Sequence, residues 1–316
     1  MNWLLLVVIG LLGFVAALIS AAILLLIFDA VLRLLFWRNE QAVDMEVLAP
    51  DGSSTTFIVY LPGILASATM MPERLVKTMA QFGEVWGVNY LSPRFRPKRI
   101  ISVVSRWIIA CCEKDPRIEH VILVGSSMGG LLAYDINKKL SKSPLMKNVE
   151  IGIMAIDAPT ESKDLQPPFD FLSPFVRIIP FGPLSNLLRK PIMKRLVIPP
   201  KEGEIDYDID REWLEQQVEG ARSFLPSFWY DQTMYIVRHG ALAANSIDCP
   251  VVYIRSTEDD DTVKPEAADS WQQAVSPISP VSFMLDAEGA KHAAYAQNPS
   301  AYEEVLPFAF RLLIGY

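Results

Sequence analysis

The feature that most narrows the folds open to this chain is an apolar run that ends in a turn of small residues. His120-Val121-Ile122-Leu123-Val124 leads directly into Gly125-Ser126-Ser127-Met128-Gly129-Gly130, and residues 131–140 then carry helical spacing. An apolar run without polar alternation reads as a strand buried on both faces, the usual state of a strand inside a parallel sheet. The surrounding chain repeats the theme. Residues 55–61 form a β-rich run ended by Pro62-Gly63, residues 84–90 a second, and residues 149–156 a third that ends in Asp157-Ala158-Pro159. Residues 98–114 read as a helix; residues 251–255 and 281–285 resume the strands, and 299–314 close the chain as an amphipathic helix. Strands alternating with helices predict an α/β fold with a mostly parallel sheet covered on both faces.

The alternation pauses between residues 160 and 247, a stretch rich in proline, aromatic and charged residues without clear strands. A structureless loop of that length is improbable in a compact domain. The segment therefore reads as a helical cap inserted into a core made of residues 44–159 and 248–316. Residues 169–198 hold many apolar side chains, Phe171, Phe175, Ile178 and Phe181 among them, and toward their end the basic cluster Arg189, Lys190, Lys194 and Arg195. Such a cap would pack its apolar face on the core, and could line an acyl-chain pocket and touch anionic lipid.

The front of the chain is different again. Residues 1–28 contain no charged side chain; Asp29 is the first acid and Arg33 the first base. A helix over residues 4–28 would be roughly 37 Å long at 1.5 Å per residue, more than the about 30 Å of a hydrocarbon core. The competing reading, a cleaved signal peptide, wants a basic start and a shorter apolar stretch, and this segment has neither. Residues 1–43 are thus expected to form one transmembrane helix and a juxtamembrane helix. Arg33 and Arg38 follow the span while no base precedes it, which places the large domain on the cytoplasmic side. Three cysteines, two of them adjacent, make neither a disulfide framework nor a metal-spaced pair, and no cofactor is expected. A formal net charge of −7 argues against nucleic acid as a partner.

Gly125-Ser126-Ser127-Met128-Gly129 fits G-x-S-x-G in the strand-to-helix context that gives the pattern its meaning. Ser127 must take up a strained backbone conformation, and the flanking glycines leave room for the tight turn. The Met128 amide then lies at a helix N-terminus, where unpaired N–H groups favour an oxyanion. A serine hydroxyl needs a base to become a useful nucleophile. Of the three histidines, His120 starts the strand at its far end and His239 lies in the insertion near Arg238. His292 follows the last strand and precedes the closing helix, on the sheet edge that carries the serine turn, and is the expected base. The base needs a carboxylate partner. Glu258-Asp259-Asp260-Asp261 follows strand 251–255; Asp260, three residues before Val263, is preferred, with Asp259 the alternative and Asp157 a distant third.

The order Ser127, Asp260, His292 resembles that of the α/β-hydrolase fold superfamily, as does the turn itself, with Ser126 where many members have histidine. Leu61-Pro62-Gly63-Ile64 is similar to the superfamily's oxyanion strand end, where His-Gly is common, and the resemblance implies a second oxyanion donor at the backbone of Ile64 or Leu65. The acidic loop resembles a G-x-x-D-x-x-V pattern, with Thr257 in place of glycine. The resemblance covers about residues 50–314 without the insertion. It implies a serine hydrolase acting on a small-molecule ester or a lipid ester. A thioesterase or amidase with the same triad, and a non-catalytic membrane-bound scaffold, are the alternatives.

Overall fold

The structure, a computed structural model, describes residues 43–64, 66–91, 94–166, 226–258, 262–279, 282–290, 292 and 298–315, with scattered positions between 10 and 31. Its centre is one seven-stranded sheet in the order β1-β3-β2-β4-β5-β6-β7. The strands are β1 (Val43–Ala49), β2 (Thr56–Leu61), β3 (Glu84–Tyr90), β4 (His120–Ser126), β5 (Glu150–Ile156), β6 (Val251–Ser256) and β7 (Ser282–Ala287). All neighbouring pairs from β3 to β7 are parallel, and β1 alone runs antiparallel along the edge of β3. The expected α/β class and mostly parallel sheet are therefore observed.

The alternation of side chains along each strand divides the core in two. Val59, Leu61, Val121, Leu123, Ile153 and Tyr253 are buried on one face, beneath α2 (Pro97–Lys114), α3 (Met128–Leu140), α4 (Pro226–His239) and α5 (Ala267–Ala274). Ile58, Tyr60, Ile122, Val124, Met154 and Ile254 are buried on the other, beneath α1 (Glu73–Ala80) and α6 (Pro299–Ile314). Every residue of β4 after His120 is buried, which is why its sequence shows no polar alternation. Because β2 to β7 are parallel, the loops that follow them gather along one edge of the sheet, called here the upper edge.

The juxtamembrane helix expected to run to residue 43 needs correcting at its end. Val43 is the first residue of β1 and pairs with Tyr90. Val43, Met45 and Val47 alternate with Asp44 and Glu46, a period of two that suits a half-exposed edge strand. At the front of the chain, residues 10–14, 16, 17, 20, 23, 24, 27 and 31 are helical, and Leu11 and Leu24 are 63% and 67% exposed. Among the described residues no helix is long and apolar enough to cross a membrane; most of the expected span over residues 1–28 lies outside them. Of the expected cap, residues 167–225, with the apolar stretch and its basic cluster, also lie outside.

Within the described parts of the insertion, α4 is tied down firmly. Arg94, in the loop after β3, makes a two-pronged ion pair with Asp231, Nε to Oδ2 at 2.7 Å and Nη2 to Oδ1 at 2.8 Å. The Tyr235 hydroxyl donates to Asp135 of α3 at 2.8 Å. Phe228, fully buried, meets Phe95 edge-on, and Phe95 meets Tyr90 in the same way.

Candidate active site

Ser127 stands between the end of β4 and the start of α3 with φ 50° and ψ −121°, a conformation that L residues avoid. Three features hold it there. The Ser127 N–H donates to the Ile156 carbonyl at 2.8 Å. A Cβ on Gly125 would stand 2.4 Å from the Gly129 carbonyl oxygen, and one on Gly129 would stand 1.9 Å from that of Leu61. Only hydrogen fits at either place, so the turn closes against the end of β2. Met128 is the first residue of α3, where the N–H has no intrahelical partner.

The end of β2 supplies the other wall. A Cβ on Gly63 would approach the Ser127 Cβ to 3.1 Å and its Oγ to 3.8 Å, so the Pro62-Gly63-Ile64 backbone passes directly beside Ser127. The Tyr90 hydroxyl donates to the Pro62 carbonyl at 3.0 Å. Burial, with Tyr60 close by, pushes its pKa well above the usual tyrosine range, so that hydroxyl keeps its proton. Ile64 is half-buried, and Leu65 lies outside the described residues.

His292 Nε2 lies 3.0 Å from Ser127 Oγ. With Nε2 unprotonated, the hydroxyl donates to it, the contact that general-base activation requires. The other histidines are elsewhere. His120 is at the lower end of β4, its Nδ1 3.4 Å from Glu150. His239 is packed edge-on against Tyr134 and Tyr235, with Nε2 3.4 Å from Asp135. Asp135 is eight residues along from Ser127, about 12 Å at the helical rise, which keeps His239 out of reach of the hydroxyl.

Asp259 and Asp260 lie outside the described residues, but both flanks of their loop are fixed. On the near side, the Glu258 N–H donates to the Ala290 carbonyl at 3.0 Å, two residues before His292. Thr257 Oγ1 accepts from the Gly289 N–H at 2.8 Å. On the far side, buried Val263 bridges to Leu165, and the Lys264 N–H donates to the Asp164 carbonyl at 2.6 Å. Asn298 closes the base of the histidine loop: its Nδ2 donates to the Gly289 carbonyl at 3.2 Å while its Oδ1 accepts from Ala301 and caps α6. The departure from glycine at Thr257 thus has a purpose, because the hydroxyl joins the acidic loop to the histidine loop.

Sequence reasoning did not find the polar group behind these loops. Asp157, 2% exposed and at φ 45°, accepts from the Ser256 N–H at 2.7 Å and from the Ser256 hydroxyl at 2.6 Å. Ser256 Oγ lies 3.1 Å from the Tyr302 hydroxyl on α6. Asp157 therefore holds the end of β6, from which the acidic loop departs. An acid directly after a buried strand is the available signal, but in the sequence it stands only as a third candidate for the carboxylate that orients the histidine. Among the described residues no cluster of His, Cys, Asp and Glu could hold a metal ion.

A strained serine at a strand-to-helix turn, with a histidine from the loop after the last strand beside it, defines the α/β-hydrolase type of fold and site. The chain belongs to the alpha/beta hydrolase family, whose model matches residues 58–305. Its structure is similar to that of a lipase-esterase related protein from Clostridium acetobutylicum, at 14% identity and TM-score 0.61 over 85% of this chain and 99% of that one. It is also similar to an esterase from Rhodococcus, at 18% identity and TM-score 0.61 over 86% and 95% of the two chains. A third likeness is to a soluble variant of monoglyceride lipase from Saccharomyces cerevisiae, at 11% identity and TM-score 0.56 over 86% and 90%. At these identities the likeness is one of fold. A comparison with curated proteins finds no match.

Two predictions follow from the packing and the loop contacts. Gly129→Ala drives a methyl into the Leu61 carbonyl and should cost about 3 kcal/mol or more, read as a lowered urea midpoint. Gly52→Ala, with open space around its Cβ, is the control. Thr257→Gly removes one hydrogen-bond partner of the histidine loop and should lower kcat/KM by roughly tenfold, the equivalent of about 1.4 kcal/mol, whereas Thr257→Ser should retain most of the activity.

Proposed function

We propose that this protein hydrolyses a carboxylic ester through an acyl-enzyme on Ser127. The observation that carries the reading is the 3.0 Å contact between His292 Nε2 and Ser127 Oγ at the strained turn. As Ser127 Oγ attacks the ester carbonyl carbon, its proton passes to His292, and the carbonyl oxygen becomes an oxyanion. The Met128 N–H, with that of Ile64 or Leu65, stabilises this charge. Collapse expels the alcohol, which takes the proton from His292. Water, deprotonated by the same histidine, then attacks the acyl carbon and releases the acid and Ser127. Asp260 orients the imidazole and stabilises its charged form, and the fixed flanks at Glu258 and Val263 favour an acid between them. The scaffold reading leaves the Ser127–His292 contact without a purpose.

The substrate class and location follow from the front of the chain. A charge-free stretch of 28 residues, helical at its described positions with Leu11 and Leu24 exposed, is suited to a single membrane anchor. The large domain then sits on the cytoplasmic side, by Arg33 and Arg38. An enzyme so placed is supplied with esters that partition into lipid, and a lipid ester is the proposed substrate.

A fluorophosphonate probe should label the wild-type protein and fail to label Ser127→Ala and His292→Ala variants that remain folded. Absence of labelling in folded wild type would remove the catalytic reading. Asp260→Asn should lose ester turnover more severely than Asp259→Asn; the reverse order would move the acid by one residue. The full chain should also resist alkaline carbonate extraction from membranes.

A further inference from the structure

The antiparallel pairing of β1 decides where the front of the chain meets the folded domain. β1 is the one strand that runs against the others, so its first residue, Val43, lies beside Tyr90, the last residue of β3. That is the upper edge, the one that carries Ser127. A chain of contacts connects the two points: Val43 pairs with Tyr90, the Tyr90 hydroxyl donates to Pro62, and Gly63 lies against Ser127. Three inter-strand steps separate β1 from β4, a lateral distance of about 14 Å.

We propose that the upper edge of the sheet faces the bilayer, so that a lipid ester passes from the membrane to Ser127 without crossing bulk water. This rests on residues 1–28 acting as the anchor. The ten residues 34–43 carry the chain from Arg33, the first base after the apolar run, to Val43. Fully extended they reach at most about 35 Å, and as a helix about 15 Å. If the lower edge faced the bilayer, Val43 would stand above the surface by at least the length of the seven-residue β4, about 23 Å. The connection would then have to use about two-thirds of its greatest reach running back along the domain, and a helical connection would fall short. With the upper edge down, any conformation of those ten residues suffices.

Basic side chains stand at both edges, so charge alone does not choose between them. Lys138, Lys142 and Lys147 are exposed near the lower edge, around Leu145 at 56% exposure, and would be drawn to an anionic leaflet. On the upper edge Lys98, at the start of α2, is exposed, with Arg96 and Arg99 half-buried beside it. The short covalent connection acts at any lipid composition, whereas the pull on the lysines acts only on anionic lipid.

A diazirine-bearing lysine analogue placed at Lys98 or at Lys147 of the full chain, reconstituted in phosphatidylcholine vesicles with or without phosphatidylserine, separates the two edges. Lipid crosslinking from position 98 in both vesicle types, and not from 147, is the expected result. Crosslinking from 147, alone or together with 98, overturns the proposal, as does crosslinking from neither in a chain that resists carbonate extraction. A chain that carbonate extracts removes the anchor and this proposal together, while fluorophosphonate labelling of Ser127 would still stand.

Discussion

The backbone of Ser127 is the constraint on which the site depends. A non-glycine residue at φ 50° costs on the order of 1–3 kcal/mol, so the turn persists only because its surroundings leave it no alternative. The Ser127 N–H is committed to Ile156 of the neighbouring strand. The ends of β2 and α3 approach so closely that residues 125 and 129 can carry no side chain. Behind the turn the packing residues are small as well, since a Cβ on Gly130 would stand 2.3 Å from that of Ala158. Trp271, fully buried, closes this thin region from the side and donates its indole N–H to the Ala158 carbonyl at 2.9 Å. Strain at one residue thus dictates small neighbours, and the small neighbours require one large aromatic to restore density.

The second organising element is polar and lies at the ends of β6 and β7. A buried carboxylate is tolerated where hydrogen bonds replace its water, and Asp157 receives two from Ser256. Thr257, Asn298 and the backbone of Glu258 continue the connection to the histidine loop. The histidine is therefore not set by the length of its loop alone. Its loop is fastened at Gly289 and Ala290 before His292 and at Asn298 after it, which restricts where the imidazole can lie relative to Ser127.

How much of this could be read from the sequence depended on whether the signal was local. The buried strands β2 to β6 and the closing helix were legible because apolar runs and helical spacing are local, and the serine turn because its small residues fall within five positions, even though the contact of Gly129 with Leu61 is long-range. β1 was harder to read because its alternation covers only five residues, directly after a long apolar run, and its meaning lies in a pairing with Tyr90, 47 positions away by number. The eight-residue helices α1 and α5 fell below what periodicity resolves. His292 could be chosen from three candidates by its place after a strand. The roles of Thr257 and Asp157 could not, since both consist of contacts across the sheet end that no spacing encodes.

The same asymmetry of the sheet explains why a serine carries the proposed chemistry in a chain with three thiols. A thiolate is intrinsically the better nucleophile, but only once deprotonated. Cys111 and Cys112 end α2 and Cys249 precedes β6, which places all three toward the lower edge. Burial pushes the Cys112 thiol up to about 11 and raises that of Cys249 as well, so both stay protonated. At the upper edge the helix start, the strand end and the histidine loop converge because parallel strands deliver their following loops to one side. Reactivity here is a property of position: the weaker nucleophile stands where a base and unpaired N–H groups meet, and the stronger ones stand at the opposite edge, where burial keeps them protonated.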